Sequence, residues 1–169
     1  VSPAMPNTST SPMSMFTTCL WFDGKAEEAM KLYTSVFKNS KIVSIKYWGE
    51  GSPFPKEQVM TGVFELDGQT FYAFDAGPQF KFTEATSFFV SCETQEEIDH
   101  FWNKLTADGG EESMCGWLKD KFGLSWQIIP PVLSELFADK DRAKAGRAMQ
   151  AMLKMRKIII SDLLKAANG

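Results

Sequence analysis

Histidine is nearly missing from this chain: 169 residues hold a single one, His100. Any site that needs two imidazoles is thereby excluded. Cysteine is also scarce, and Cys19, Cys92 and Cys115 form neither a CxxC pair nor a zinc-type Cys/His grouping. Two of the three sit inside apolar, strand-like runs, so the expectation is reduced thiols in a cytoplasmic protein. No apolar run approaches the ~20 residues of a membrane span. The one GxG, Gly49-Glu50-Gly51, falls between two predicted strands and lacks a third glycine, so it is not a dinucleotide-binding turn. Residues 1–15 are rich in Ser, Thr and Pro, with neither a basic start nor an apolar stretch; they read as a disordered leader, not a signal peptide.

What is present is core-forming material. Hydrophobic residues make up 44% of the chain and 14 are Phe, enough for a buried interior without disulfide staples. The net charge of −3 conceals an asymmetry. From Lys140 to Gly169 eight Lys/Arg face two Asp, a local +6 that leaves −9 elsewhere. A basic tail on an acidic body could contact nucleic acid. The favoured reading is a solvated helical face lying against acidic groups of its own or a partner subunit, because the tail lacks the aromatic interleaving that stacks bases.

The chain also repeats itself. Thr17 to Phe22 leads into Glu27-Glu28-Ala29 and an apolar helical run through Leu32, Tyr33 and Phe37. Thr86 to Val90 leads into Glu96-Glu97-Ile98, then Phe101, Trp102 and Leu105, 69 positions later. Gly62-Val63-Phe64 before Asp67-Gly68 is echoed by Gly116-Trp117-Leu118 before Lys121-Phe122-Gly123, an echo that sets Tyr72 opposite Gln127. Periodicity predicts a strand from Phe16 to Phe22, a helix from Lys25 to Phe37, a strand from Ile42, and a hairpin through Asp67-Gly68. The second copy predicts a strand from Ala85 to Cys92, a helix from Gln95 to Ala107 and a hairpin from Glu112 to Ile129. Pro130-Pro131 ends the sheet region, and three helices follow: Val132 to Ala138, Lys140 to Met155, and Ile158 to Ala167. The fold class is α+β, a strand–helix–hairpin unit made twice, with a cleft expected where the copies meet.

Several stretches resemble the PhnB-like family, often named 3-demethylubiquinone methyltransferase, of the glyoxalase/bleomycin-resistance/dioxygenase (vicinal oxygen chelate) superfamily. They are Leu20-Trp21-Phe22-Asp23-Gly24-Lys25-Ala26-Glu27-Glu28-Ala29, Phe64 to Gln69, Cys115 to Ile128 and Met149 to Met155. The resemblance implies paired βαβββ modules at about 16–78 and 85–130, followed by C-terminal helices at about 131–167, all in one domain spanning 16–169. It also implies a cavity in each curled sheet and a homodimer. In metal-using relatives each module supplies one ligand from its first strand and one from its last. Those places fall on Thr18 and Ser87, within about one residue, and on Tyr72 and Gln127. None is His, Asp or Glu, so no metal ligand is assigned and no cofactor is expected, the less favoured alternative being a divalent metal on a set such as Asp75 with Gln127.

Asp75, at the end of the first hairpin, is the candidate acid/base residue at the expected cavity rim, weighed against a turn-capping role that is favoured. Tyr72, Phe74 and Gln127 form the inward set of the comparison, with Cys115 and Trp117 as further cavity residues and Trp126 turned towards the helix. His100 reads as a half-exposed helix residue, and Cys115 as an inert small hydrophobe. The expected function is metal-free binding of a small, possibly aromatic or quinone-like molecule, with neither membrane nor nucleic acid as partner. The alternative is an enzyme (lyase, isomerase, oxygenase or the methyltransferase of the family name) acting on a small oxygenated substrate.

Overall fold

The computed structural model describes residues 14–169, so most of the expected leader lies outside the described residues. The chain divides into two compact units, Val1–Gly77 and Pro78–Gly169.

The first unit runs β1 (Thr18–Phe22), α1 (Ala26–Val36), β2 (Lys41–Tyr47), β3 (Val59–Leu66) and β4 (Gln69–Asp75). Its sheet has the order β1-β4-β3-β2, with β1 parallel to β4 and the other pairs antiparallel. Apolar residues at helical spacing make α1: Ala26, Ala29, Met30, Tyr33 and Val36 are all buried. They cover Leu20, Phe22, Phe64, Phe71 and Ala73, which project from one face of the sheet by period-two alternation. Burying side chains such as Met30 and Tyr33 contributes about 1.5–3 kcal/mol each. Gly62 belongs to this face because a Cβ there would stand 2.6 Å from the Met30 sulfur. The β3–β4 turn uses positive φ at both Asp67 (49°) and Gly68 (77°), the pairing that matches the twist of a hairpin. Along the edge strand β2, pairing with β3 skips between Ile42 and Ser44, so Val43 is bulged out and exposed.

The second unit repeats the order: β5 (Ser87–Ser91), α2 (Gln95–Thr106), β6 (Glu111–Glu112), β7 (Trp117–Lys119) and β8 (Ser125–Ile129), sheet order β5-β8-β7-β6. A short 3-10 turn, Ala107–Gly109, closes α2. Thr94 opens α2 by accepting the Glu97 N–H at 3.2 Å. Ile98, Trp102 and Leu105 are its buried stripe, each 69 residues beyond Ala29, Tyr33 and Val36. They sit on the face that carries Leu118, Trp126 and Ile128.

Three helices complete this unit: α3 (Pro131–Phe137), α4 (Arg142–Met152) and α5 (Ile160–Asn168). Leu133, Leu136, Ala148, Ile158, Leu163 and Ala167 gather around Ile129 at the end of β8. The middle helix is shorter than its pattern predicted. Asp141 sets its start by accepting the N–H groups of Ala143 and Lys144 at 3.1 and 3.2 Å. After Met152 the chain tightens into i to i+3 bonds, Lys154 N–H to the Ala151 carbonyl and Met155 N–H to that of Met152, and the Met155 and Arg156 carbonyls then accept the N–H groups of Cys115 and Gly116 at 2.7 and 2.8 Å. Gly116, at φ 84° with Ile129 2.6 Å from where a Cβ would stand, is the close approach this lacing requires.

Candidate functional site

In each unit the helix covers one face of the sheet and leaves the other open. Which residues reach that open face follows from strand parity and register. In the first unit, Tyr72 and Phe74 on β4 alternate with buried Phe71, Ala73 and Asp75, so both belong to the open face. Their register partners on β1 are Cys19 and Trp21, and Val63 stands opposite Tyr72 on β3. Trp21 and Phe74 meet edge to face with centroids 5.2 Å apart, and the Trp21 indole N–H donates to the Gly77 carbonyl at 2.9 Å. The result is an aromatic floor of Trp21, Tyr72 and Phe74 bordered by the exposed Cys19 thiol. Desolvation raises the pKa of that thiol above the usual value.

Thr18 is not part of this floor. It pairs with Phe71 and shares the parity of Leu20 and Phe22, which places it on the helix-covered face. The first-strand position facing with Tyr72 is Cys19, one residue further on. The 69-residue offset holds through the two helices but slips by one in the strands before them. Leu20 and Phe22 face their helix, whereas Phe89 and Ser91, 69 positions later, are exposed. A one-residue slip turns a side chain to the other face, so the first-strand place, expected at Thr18 within about one residue, falls on the open face at Cys19.

In the second unit Ser87 and Gln127 do share the open face: the Gln127 amide donates to the Ser87 hydroxyl at 3.0 Å. Trp117 stands opposite Gln127, Lys119 opposite Ser125, and Phe89 beside Gln127. Trp126 lies on the covered face, 2% exposed, meeting Phe88 edge to face and donating its indole N–H to Asp120 at 2.9 Å. Cys115 is not on a strand. It occupies the turn before β7 with φ 60°, its N–H held by the Met155 carbonyl. His100 is on the solvent side of α2, against the Phe101 ring.

Asp75 is placed away from the expected rim. Its side chain is on the covered face and 2% exposed, one oxygen accepting the Ala26 N–H at 3.0 Å and the other the Val59 N–H at 2.9 Å. Lys25, at the position that should cap α1, makes no side-chain cap, so this carboxylate from β4 does that work. A base must reach its proton. Both oxygens of Asp75 are instead spent on backbone amides, which is structural duty.

Sequence reasoning missed Cys19, Trp21 and Phe89 as open-face residues. Counting parity back from the apolar residues of each strand would have found Cys19 and Trp21, because Leu20 and Phe22 are evidently core. Phe89 is harder, since in Phe88-Phe89-Val90 nothing in the residue types says which faces in.

The open face of the first unit thus carries a thiol and a phenol, Cys19 and Tyr72, and that of the second a hydroxyl and an amide, Ser87 and Gln127. Neither pair fits a divalent transition metal, which takes His, carboxylate or grouped thiolates. Among the described residues no group of three or more His, Cys, Asp or Glu is placed to hold a metal ion. Nor is either strand-to-helix turn open to an acidic cofactor group, since Asp75 and Thr94 already take amides there and Glu27, Glu28, Glu96 and Glu97 crowd the first turns.

Two βαβββ modules, each a four-stranded mixed sheet with one helix across it, define the class of glyoxalase/bleomycin-resistance-like proteins. Residues 14–129 match the family described as 3-demethylubiquinone-9 3-methyltransferase, and the chain belongs to that family. A solved structure described as a putative 3-demethylubiquinone-9 3-methyltransferase, PhnB protein, from Bacillus cereus is 43% identical. The match covers 69% of this chain and 99% of that one, with a TM-score of 0.66. Protein PA1353 from Pseudomonas aeruginosa is similar at 21% identity over 68% of this chain and 96% of its own, TM-score 0.58. The fosfomycin resistance protein FosX from Mesorhizobium loti is similar at 11% identity over 75% and 98%, TM-score 0.53. The last two likenesses concern the fold alone. No curated protein matches the chain. The helices α3 to α5 lie beyond the residues that match the family.

Proposed function

We propose that this protein binds a small planar molecule, aromatic or quinone-like, on the open faces of its sheets, and does so without a metal. The observation that carries the reading is the composition of those faces. Trp21, Tyr72 and Phe74 in one unit, and Trp117, Phe89 and Gln127 in the other, combine large π surfaces with a few polar groups. Such lining suits a flat ligand that is held by stacking and oriented by one or two hydrogen bonds. The four ligand-like places carry uncharged groups, which supports binding over metal-assisted chemistry. A homodimer in the cytoplasm, with neither nucleic acid nor membrane as partner, completes the proposal.

The family description names a methyl transfer, and that reading would need a donor site. The capped helix starts argue against a nucleoside-type donor in the strand-to-helix turns, so binding is the better-supported reading. The test is a thermal-shift and calorimetry panel of benzoquinones, naphthols and aryl ketones. At least one class is expected to raise the melting temperature, and Tyr72→Ala to weaken any ligand of the first face about tenfold. A panel in which nothing binds, or stoichiometric Zn, Mn, Fe or Ni in metal-supplemented protein, overturns the proposal.

A further inference from the structure

Ser125 lies on the open face of β8, opposite Lys119, and is buried there. It is 1% exposed, and among the described residues its Oγ is the buried side-chain oxygen or nitrogen without a hydrogen-bond partner. The other two buried polar residues are fully employed: Asp75 holds two backbone amides, and Asp120 holds the Phe122 and Leu124 amides and the Trp126 indole. A buried hydroxyl left unpaired is a standing cost to folding that alanine at the same place would not incur. It also lines a cavity of about 160 Å³ on the open side of the second sheet, with Trp117, Lys119, Glu84 and Glu111 around it.

The chemistry of this cavity selects among ligands. Lys119 stands directly across the ladder from Ser125, and its ammonium is paired with Glu84. That pairing raises the Lys119 pKa and lowers that of Glu84, so both are charged at neutral pH. Each partner is substantially exposed, and an exposed ion pair contributes little, so exchanging one of its hydrogen bonds for another is inexpensive. Glu84 and Glu111 repel anions from the cavity. A neutral oxygen that only accepts hydrogen bonds meets no such penalty, and it can satisfy Ser125 and Lys119 together.

We infer that Ser125 is a ligand-binding residue, its hydroxyl donating with the Lys119 ammonium to a carbonyl oxygen of a neutral ketone or quinone whose ring lies against Trp117. This deepens the binding proposal and rests on it. The Lys119–Glu84 pair then opens to admit the oxygen, and closes over Ser125 when the ligand leaves.

The test uses the full chain and three probes of like size: 4′-hydroxyacetophenone, 4-ethylphenol and 4-hydroxybenzoate. Affinity is measured by calorimetry, and the site by amide and indole shifts in 15N spectra. Wild-type protein is expected to bind the ketone best, with shifts at Ser125, Lys119 and the Trp117 indole. Ser125→Ala should melt at the same temperature or higher, bind the ketone about five- to tenfold more weakly, and bind 4-ethylphenol unchanged. A Ser125→Ala protein that binds the ketone as well as wild type overturns the assignment while leaving the binding proposal standing. So does preference for the benzoate, or a Ser125→Ala protein that is less stable, which would mean the hydroxyl is already satisfied by trapped water. If no probe binds wild-type protein at all, the binding proposal fails and the role of Ser125 fails with it.

Discussion

Asp75 shows how a residue can look functional in sequence and be structural in three dimensions. A lone acid before Ala76-Gly77-Pro78 could have served either as a rim base or as a cap, and both remained open until the register of β4 was known. Its two amide bonds tie the start of α1 to the start of β3. Asp75→Asn keeps one acceptor but turns an NH2 towards the other amide. It is expected to cost about 2–3 kcal/mol by urea unfolding, without abolishing ligand binding on the opposite face. Cys92 makes a complementary case. Burial, with Glu97 nearby, pushes its thiol up to about 12. Between the ordinary value near 9 and about 12 the folded state keeps a proton that the unfolded state has lost. Stability from this group is therefore complete below pH ~9 and falls as pH rises towards 12. Alkylation at about pH 8.5 should label Cys19 and leave Cys92 untouched until the protein unfolds, as peptide mass spectrometry would record.

At the level of elements, helices were the most legible part of the sequence and strand faces the least. The Ala29, Tyr33, Val36 stripe and its copy at Ile98, Trp102, Leu105 specify each helix and the face it buries. Helical spacing is redundant over three turns, so one ambiguous residue does not disturb it. A five-residue strand has only two or three side chains per face, and Phe88-Phe89-Val90 offers no polar residue to break the tie. For the same reason the first-strand place could be given only as Thr18 within about one residue, and the register with Tyr72 puts it at Cys19. The third helix of the tail shows contacts that no pattern announces. Gln95, at the start of α2, donates to the Ile158 carbonyl at 3.0 Å and accepts the Ile160 N–H at 2.8 Å, so one amide joins α2 to the entry of α5. Gln95→Ala should cost about 1–2 kcal/mol and speed hydrogen exchange at Ile160 and the first turn of α5, while α1 and its sheet are unaffected.

Across the whole molecule, charge was readable as a sum but not as an arrangement. Five of the eight basic residues of the tail make local ties. Arg156 pairs with Glu112, Lys157 with Asp99 and Lys144 with Asp139, while Arg142 and Arg147 donate to backbone carbonyls around Asp139 and at the end of α5. The ties to Glu112 and Asp99 come from the connection between α4 and α5, where Arg156 and Lys157 sit, and not from the helical face that was expected. The duplicated architecture was legible because two copies corroborate each other, and family membership follows from motifs spread over most of the chain. Which polar atoms are left without partners, Ser125 Oγ above all, was not legible, since that appears only once every strand has its register.

The bulge at Val43 has a consequence for solubility. β2 forms one border of its sheet, and a straight border offers a row of amides and carbonyls to any other strand that drifts alongside. The extra residue kinks that row out of step, so a second molecule cannot zip onto it over more than a few residues. Deleting Val43 would restore an even ladder from Lys41 to Lys46 with little harm to the interior. The shortened protein is expected to fold, yet to scatter light on concentration where the original stays clear.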